Sequence, residues 1–174
     1  MDTEVDFATF VRAHTPALFR SAYLMTRSST SAEDLVQDTF ARLYPKWSRV
    51  AGAQVPLAYV HRAMVNNYLN SQRSARGHEL LLADPPDRAG SPDPALLVTE
   101  QDLVRRLLDR LPARSRAVLV LRFFRDLSDA EIAAELGCRQ GTVRSIVNRA
   151  LATLREETDR GVADPTARVN GINS

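Results

Sequence analysis

Hydrophobic residues recur every three or four positions in several separate segments of the chain. That spacing places them along one face of an amphipathic helix. Pro45 is expected to end one helix, Pro56 suits the first turn of the next, and Pro112 separates two others. The predicted helices cover residues 7–27, 31–44, 56–76, 96–111 and 114–125, and a capping box at Ser31 and Asp34 opens the second. The predicted fold class is all-α.

The stretch from residue 127 to residue 154 has the pattern of a helix-turn-helix. Ser128 and Glu131 have capping-box spacing, so a helix should begin there, and Gly137 should end it in a left-handed conformation. A second helix is expected from Gly141, with apolar residues on one face and polar or basic residues on the other. Such a pair is typical of DNA-binding proteins. The less specific alternative is an ordinary helical hairpin with a solvated basic face.

Composition and charge mark a boundary in the middle of the chain. Residues 77–94 contain four prolines, four acidic residues and a single arginine. Such a segment is expected to be a flexible linker. We therefore predict two small helical domains, at 1–76 and 95–160, with the linker at 77–94 and a tail at 161–174. Because the net charge is only +2, nucleic acid would have to be bound by local basic patches.

Several classes of function lack the residues that they need. Cys138 is the only cysteine, so neither an intramolecular disulfide nor a cysteine-based zinc site is predicted. The three histidines lack the spacing of paired ligands, and we find neither a phosphate-binding loop nor a nucleophile with a base. No metal, cofactor or enzymatic activity is therefore expected. The chain shows no signal pattern and no membrane-spanning run, which predicts a soluble cytoplasmic protein.

Two motifs, in the right order and spacing, resemble those of bacterial sigma factors. Residues 32–40 are similar to the helix that docks on the clamp of RNA polymerase. Residues 111–124 resemble the start of the family's C-terminal domain, and residues 127–145 resemble its promoter-reading helix-turn-helix. The short two-domain plan matches the extracytoplasmic-function group. Val65 and Asn70 stand where relatives often have arginine and aspartate, which resembles an actinobacterial subgroup.

The resemblance implies an initiation factor that directs RNA polymerase to particular promoters. Its partners would be the β′ clamp and β flap of the core enzyme, promoter DNA and an anti-sigma factor, without membrane insertion. The residues expected to contact the −35 duplex are Arg139, Gln140, Thr142, Arg144, Ser145, Asn148 and Arg149. Those expected to melt and capture the −10 element are Arg62, Asn66, Asn67, Asn70, Arg73 and Arg76. Those expected to bind polymerase are Asp34, Gln37, Asp38 and Arg42.

Some alternatives stay open at the level of sequence. Each arginine of the helix-turn-helix is also a candidate for a phosphate contact, which positions the protein without specifying a base. The loop expected at residues 46–55 is a candidate wall for a pocket that holds a flipped base, whereas Trp47 within it is expected to anchor the core. The competing function is an autonomous DNA-binding regulator with an N-terminal sensing or dimerisation domain.

Overall fold

The computed structural model describes residues 3–81 and 100–163, and within these ranges it contains helices and no strand. The all-α prediction is confirmed. The helices are α1 Thr3–Thr26, α2 Ser29–Leu43, α3 Trp47–Ala51, α4 Pro56–Leu81, α5 Glu100–Asp109, α6 Ala113–Leu119, α7 Asp129–Leu136 and α8 Gln140–Ala163. A 3₁₀ turn at Tyr44–Lys46 follows α2, and a π-helical turn at Val120–Phe124 follows α6. The first residues of the predicted linker 77–94 belong to α4, which continues to Leu81, and the first residues of the predicted tail 161–174 belong to α8, which continues to Ala163. The rest of both segments lies outside the described residues.

The N-terminal unit, which comprises α1 to α4, is organised around an aromatic cluster. Trp47 at the start of α3 is only 4% exposed. Its ring centroid lies 5.0 Å from that of Phe7, in an edge-on arrangement, and 4.9 Å from that of Phe10. Aromatic rings prefer such edge-on or offset geometry because the positive rim of one ring meets the negative face of the next. The prediction that Trp47 anchors the core is confirmed.

Two local predictions for the N-terminal unit are wrong. Helix α2 is not opened by Ser31, because it begins one residue after Ser28, whose Oγ accepts a hydrogen bond from the Ser31 backbone N–H at 3.3 Å. Both serines suit a cap, but Ser28 has the extended backbone that turns its hydroxyl toward the first turn. Residues 46–55 are not entirely a loop either. They include α3, which buries Trp47 and Val50 on one side, three residues apart.

The C-terminal unit, which comprises α5 to α8, packs directly against the N-terminal unit. Buried side chains of both units belong to one continuous hydrophobic core. Helices α1 and α4 of the N-terminal unit contact α6, and α4 also contacts α7. Periodicity alone predicted two domains and gave no sign of this contact. We call the polar part of the contact the seam. It consists of the Met25 carbonyl and the side chains of Arg27, His61 and Tyr68 on one side, and of the side chains of Asp109, Arg116 and Arg125 on the other.

Candidate nucleic-acid interface

The helix-turn-helix is closed at both ends of α7 by the residues that its sequence predicted. The Ser128 Oγ accepts from the Glu131 backbone N–H at 3.3 Å, and the Glu131 carboxylate accepts from the Ser128 backbone N–H at 2.8 Å. The hydrogen bonds that the Ser128 backbone N–H and hydroxyl donate to the Glu131 carboxylate lower its pKa. Gly137 ends the helix with φ +62° and ψ +40°. The capping box and the left-handed glycine are both confirmed, and together they fix the turn that aims α8.

Helix α8 presents a polar face to solvent and an apolar face to the core. Val143, Ile146 and Ala150 are buried, and Val147 and Leu151 are half-buried. This three-to-four-residue spacing leaves the opposite side of the helix free of apolar contacts. The side chains expected to meet the −35 duplex all lie exposed at the start and on the outer side of α8, namely Arg139, Gln140, Thr142, Arg144, Ser145, Asn148 and Arg149.

Asp129 organises two arginines of this surface. As the first residue of α7, its carboxylate accepts from the Arg122 guanidinium at 2.6 Å and from the Arg144 Nε at 3.1 Å. A carboxylate at a helix N-terminus is also favoured by the helix dipole. Arg122 is therefore paired inside the protein, and Arg144 is held along the outside of α8. Asp129 was not among the residues predicted to be functional, although an acid in the first turn after a capping serine is a signal that the sequence contains.

Other polar side chains of α8 bond to its own backbone. The Ser145 Oγ donates to the Gly141 carbonyl at 2.9 Å, and the Arg149 Nε donates to the Ser145 carbonyl at 3.2 Å. Both contacts are exposed and lie within one turn of the helix. Arg149 therefore keeps its two terminal amino groups available, which suits either a phosphate or a guanine edge.

Helix α4 carries a second polar face. Arg62, Asn66, Asn70, Arg73 and Arg76 are exposed along it. Asn67 differs from them, because it is half-buried and its Nδ2 donates to the Thr39 Oγ1 at 3.2 Å. Thr39 in turn donates to the Leu35 carbonyl at 2.7 Å. Asn67 therefore ties α4 to α2 and has only part of its amide available for DNA.

A hollow of about 420 Å³ opens between α2 and the first half of α4. Tyr59 is 40% exposed there and offers an aromatic face, while Lys46 and Arg62 supply positive charge. Asn66 and Asn67 add amides on the same wall. An aromatic face with amides and cations is the set of groups that suits an unstacked base. Tyr59 was not among the residues predicted to be functional. Of the segment 46–55, which was expected to form a wall of the pocket, Lys46 alone lines this hollow.

The outer side of α2 carries the residues expected to bind polymerase. Asp34, Gln37, Asp38 and Arg42 are all exposed. The Arg42 Nε donates to the Asp38 carboxylate at 2.7 Å, an ion pair between neighbouring turns. Leu35, Val36 and Phe40 point to the opposite side and are buried. The face is thus acidic and polar, and nothing in the fold of the described residues covers it.

Within the ranges 3–81 and 100–163, no group of histidine, cysteine, aspartate and glutamate side chains has the arrangement of a metal site. The helices of those ranges also lack a stretch long and apolar enough to cross a bilayer. Cys138 is half-buried beside the helix-turn-helix and packs against the core.

Comparison with known proteins matches both units separately. Residues 10–78 match the model of sigma-70 region 2, and residues 107–156 match that of sigma-70, region 4. The RNA polymerase sigma-E factor of Streptomyces avermitilis is 34% identical over 163 residues, which cover 94% of this chain and 90% of the relative. The ECF RNA polymerase sigma factor SigE of Mycolicibacterium smegmatis is 33% identical over 153 residues, covering 84% of this chain and 59% of the relative. The solved structure of the sigma factor RpoE in complex with the anti-sigma factor NepR from Bartonella quintana is similar with a TM-score of 0.64 and 29% identity, covering 87% of this chain and 95% of that one.

Proposed function

Because the chain belongs to the extracytoplasmic-function group of RNA polymerase sigma factors, we propose that it reads a −35 duplex with α8 and captures a −10 element on α4. As a member of that group it is an alternative sigma factor for transcription initiation and not an enzyme. The observation that carries the proposal is the exposed polar face of α8, which the capping box, Gly137 and Asp129 hold in a fixed orientation. We assign duplex DNA to α8 because its exposed face is convex, and a single DNA strand to α4 because that helix borders a hollow.

The convex face of α8 suits the major groove of duplex DNA. An α-helix fits that groove, and arginine forks and amide groups distinguish base edges there. Arg144 is the principal candidate for base contact, since Asp129 holds its Nε while the side chain stays exposed. Arg139, just before the first residue of α8, and Arg149, about three turns later, are candidates for contacts with either base edges or phosphates.

The hollow beside Tyr59 suits a single unstacked base of the −10 strand. Unstacking costs a few kcal/mol, which an aromatic contact and hydrogen bonds to the captured base offset. The exposed residues Asn66 and Arg62 border the hollow, and Asn70, Arg73 and Arg76 continue the polar face along α4. Arg73 and Arg76 thus provide positive charge for the part of the DNA strand that extends beyond the hollow.

The acidic face of α2 is our candidate for docking on the β′ clamp of core polymerase. Its carboxylates, Asp34 and Asp38, are exposed, whereas the apolar side chains of the same helix are committed to the core. We extend the proposal to the C-terminal unit, which would contact the β flap. We also propose an anti-sigma partner, since the RpoE relative was captured with NepR.

The test is run-off transcription with purified core polymerase and a library of genomic promoter fragments, combined with a direct binding assay for the core enzyme. We expect stable association and initiation at a shared two-part motif. Specific, tight binding of the protein alone to duplex DNA, without association with core polymerase, would instead establish the autonomous regulator and reject the proposal.

A further inference from the structure

Arg144 lies in the part of α8 from which a recognition helix reaches base edges. Helix α8 begins at Gln140, so Arg144 belongs to its second turn. In a helix-turn-helix, the N-terminal residues of the second helix contact the bases in the major groove. The Arg144 side chain is 67% exposed. An exposed arginine samples many rotamers when nothing holds it, and ordering it against DNA then costs conformational entropy.

Asp129 orders Arg144 before any DNA is bound. The Asp129 Oδ2 accepts from the Arg144 Nε at 3.1 Å, and the Oδ1 accepts from the Arg122 Nη1 at 2.6 Å. A single exposed ion pair is weak, because both side chains must give up their freedom to form it. Here the carboxylate is only 18% exposed, is held from two sides and belongs to the first residue of a capped helix. Arg144 is therefore the one partner that still has freedom to lose.

The ion pair occupies one nitrogen of the guanidinium and leaves the other two. Within the ranges 3–81 and 100–163, Nε is the one nitrogen of Arg144 that donates a hydrogen bond. Nη1 and Nη2 keep their donors, and together they form a planar fork. In the major groove guanine presents two acceptors, O6 and N7, whereas adenine and thymine each present one and cytosine presents a donor. The fork therefore fits guanine better than the other three bases.

The same carboxylate makes a phosphate a poor partner for Arg144. Attraction to a phosphate depends on net charge, and a carboxylate at 3.1 Å offsets the charge of the guanidinium. A hydrogen bond to a base edge depends on the direction of the N–H groups, which the ion pair preserves. Arg149 provides the contrast, because its Nε donates to the Ser145 carbonyl and it forms no ion pair within the described residues.

We propose that Asp129 is a specificity-determining positioning residue, which holds Arg144 for a bidentate contact between its two terminal amino groups and one guanine of the −35 element. The inference rests on the proposed function, since a positioned arginine matters only if α8 binds promoter duplex. Arg122 contributes by fixing the orientation of the carboxylate. Asp129 acts through Arg144, because it makes the DNA-bound conformation of that side chain the one that the free protein already adopts. It therefore increases the preference for one base pair and not the affinity for DNA in general.

The test measures base preference with the full chain assembled on core polymerase. The competing duplexes contain the upstream element of a promoter identified by run-off transcription, with every single base-pair substitution across it. Asp129→Ala removes the carboxylate, and the same substitution is repeated in an Arg144→Ala background. Asp126→Asn is the matched control, because Asp126 is an exposed acid three residues before Asp129 and asparagine tolerates its left-handed backbone, φ +54°.

The wild type should prefer G·C at one position by about 5- to 100-fold, which is the discrimination of one bidentate contact. Asp129→Ala should reduce that preference by about two- to tenfold, the cost of ordering one long side chain at an interface. Preferences at the other positions should stay unchanged, and so should the wild-type pattern in Asp126→Asn. In the Arg144→Ala background, Asp129→Ala should have no further effect on base preference.

Three results of this assay would overturn the proposal. The first is an unchanged preference in Asp129→Ala, and the second is an equal loss at every position, which a purely structural role would cause. The third is a further loss when Asp129→Ala is added to Arg144→Ala, because Asp129 would then act through another group.

Nuclear magnetic resonance of the protein alone separates this inference from the proposed function. The Arg144 Nε–H group gives its own ¹⁵N signal, whose order parameter should be high in the wild type and should fall in Asp129→Ala. A mobile Nε–H in the wild type would refute the positioning role even where α8 binds the promoter. Failure of the chain to direct core polymerase to any promoter would refute the proposed function and the guanine contact with it, while the ¹⁵N signal still decides whether Asp129 holds Arg144.

Discussion

Replacing Gly137 by alanine should destabilise the protein, and replacing Gly141 by alanine should stabilise it. The two glycines flank the turn of the helix-turn-helix, and a Cβ atom added at either one would meet nothing within 4 Å. Steric clash is therefore absent at both positions. What differs is the backbone, because Gly137 has φ +62°, whereas Gly141 lies in the first turn of α8.

The magnitudes follow from backbone conformation. A left-handed conformation costs an L-residue about 1–2 kcal/mol, and the reduced entropy of the unfolded chain returns about 0.4–1 kcal/mol. Gly137→Ala should therefore lower the free energy of unfolding by about 1 kcal/mol. At Gly141 the backbone is helical, so alanine only reduces the entropy of the unfolded chain. Gly141→Ala should therefore raise the free energy of unfolding by about 0.5–1 kcal/mol. For a chain of this size, each kcal/mol corresponds to about 2–4 °C in Tm.

Urea unfolding monitored by circular dichroism measures both values, with the m-value as a check that the transition keeps its cooperativity. Opposite signs for the two variants are the expected result. An increase in stability for Gly137→Ala would refute the requirement for a left-handed residue there, and a decrease for Gly141→Ala would refute the reasoning for the helical glycine. Binding to DNA should be measured separately, since a methyl group at Gly141 lies at the start of the recognition helix.

Three further predictions concern the surfaces and the core. Arg144→Ala should weaken binding to the −35 duplex by about 1–3 kcal/mol and relax its base preference, as measured by competition with substituted duplexes. Asp34→Arg combined with Asp38→Arg should weaken association with core polymerase while changing the free energy of unfolding by less than about 1 kcal/mol, because both side chains are exposed. Because burial lowers the pKa of His61 from 6.5 to about 3, the unfolded state binds the proton first, so the free energy of unfolding should fall as the pH drops from about 6.5 toward 3. The slope should reach at most about 1.4 kcal/mol per pH unit and should diminish in His61→Leu.

Each of these predictions has a control within the chain. Arg155→Ala removes an exposed arginine further along α8 and should leave base preference unchanged. Glu33→Arg reverses a charge on α2 next to Asp34. If this single substitution weakens polymerase binding as much as Asp34→Arg combined with Asp38→Arg, the assignment of the acidic face is wrong. For the histidine, an equal pH slope in wild type and His61→Leu would show that other groups cause the loss of stability in acid.

The elements with strong local signals could be predicted from the sequence. Ser128, Glu131 and Gly137 determine their own conformations through bonds to neighbours three or four residues away, and all three behave as the pattern indicated. Ser31 was misassigned because Ser28 offers the same capping chemistry three residues earlier, and only the tertiary position of the turn selects between them. The polar faces of α4 and α8 also follow from periodicity, although their roles at the promoter stay predictions.

The seam could not be predicted, because its partners are far apart in the sequence. Arg116 lies in the short helix α6, which also contains Arg114 and Ser115, and nothing local shows that its guanidinium meets the Met25 carbonyl, 91 positions away. Tyr68 likewise belongs to a regular apolar stripe. The unpaired helix-end carbonyls that attract Arg116 exist only where the helices stop, and helix ends are the least certain feature of a sequence pattern. The role of Asp129 was missed for a related reason, since Arg122 lies 7 residues before it and Arg144 lies 15 residues after it.

The shared carboxylate of Asp129 has a consequence for how the protein responds to salt. Binding to DNA releases one condensed counterion for roughly every phosphate that a cation neutralises, which makes affinity fall steeply with ionic strength. Arg122 and Arg144 already carry an internal counter-charge, so together they displace fewer ions than their number suggests. The salt dependence of DNA binding by the C-terminal unit should therefore be shallower than its number of arginines suggests. A surface of this kind favours discrimination between sequences over general adhesion to the phosphate backbone.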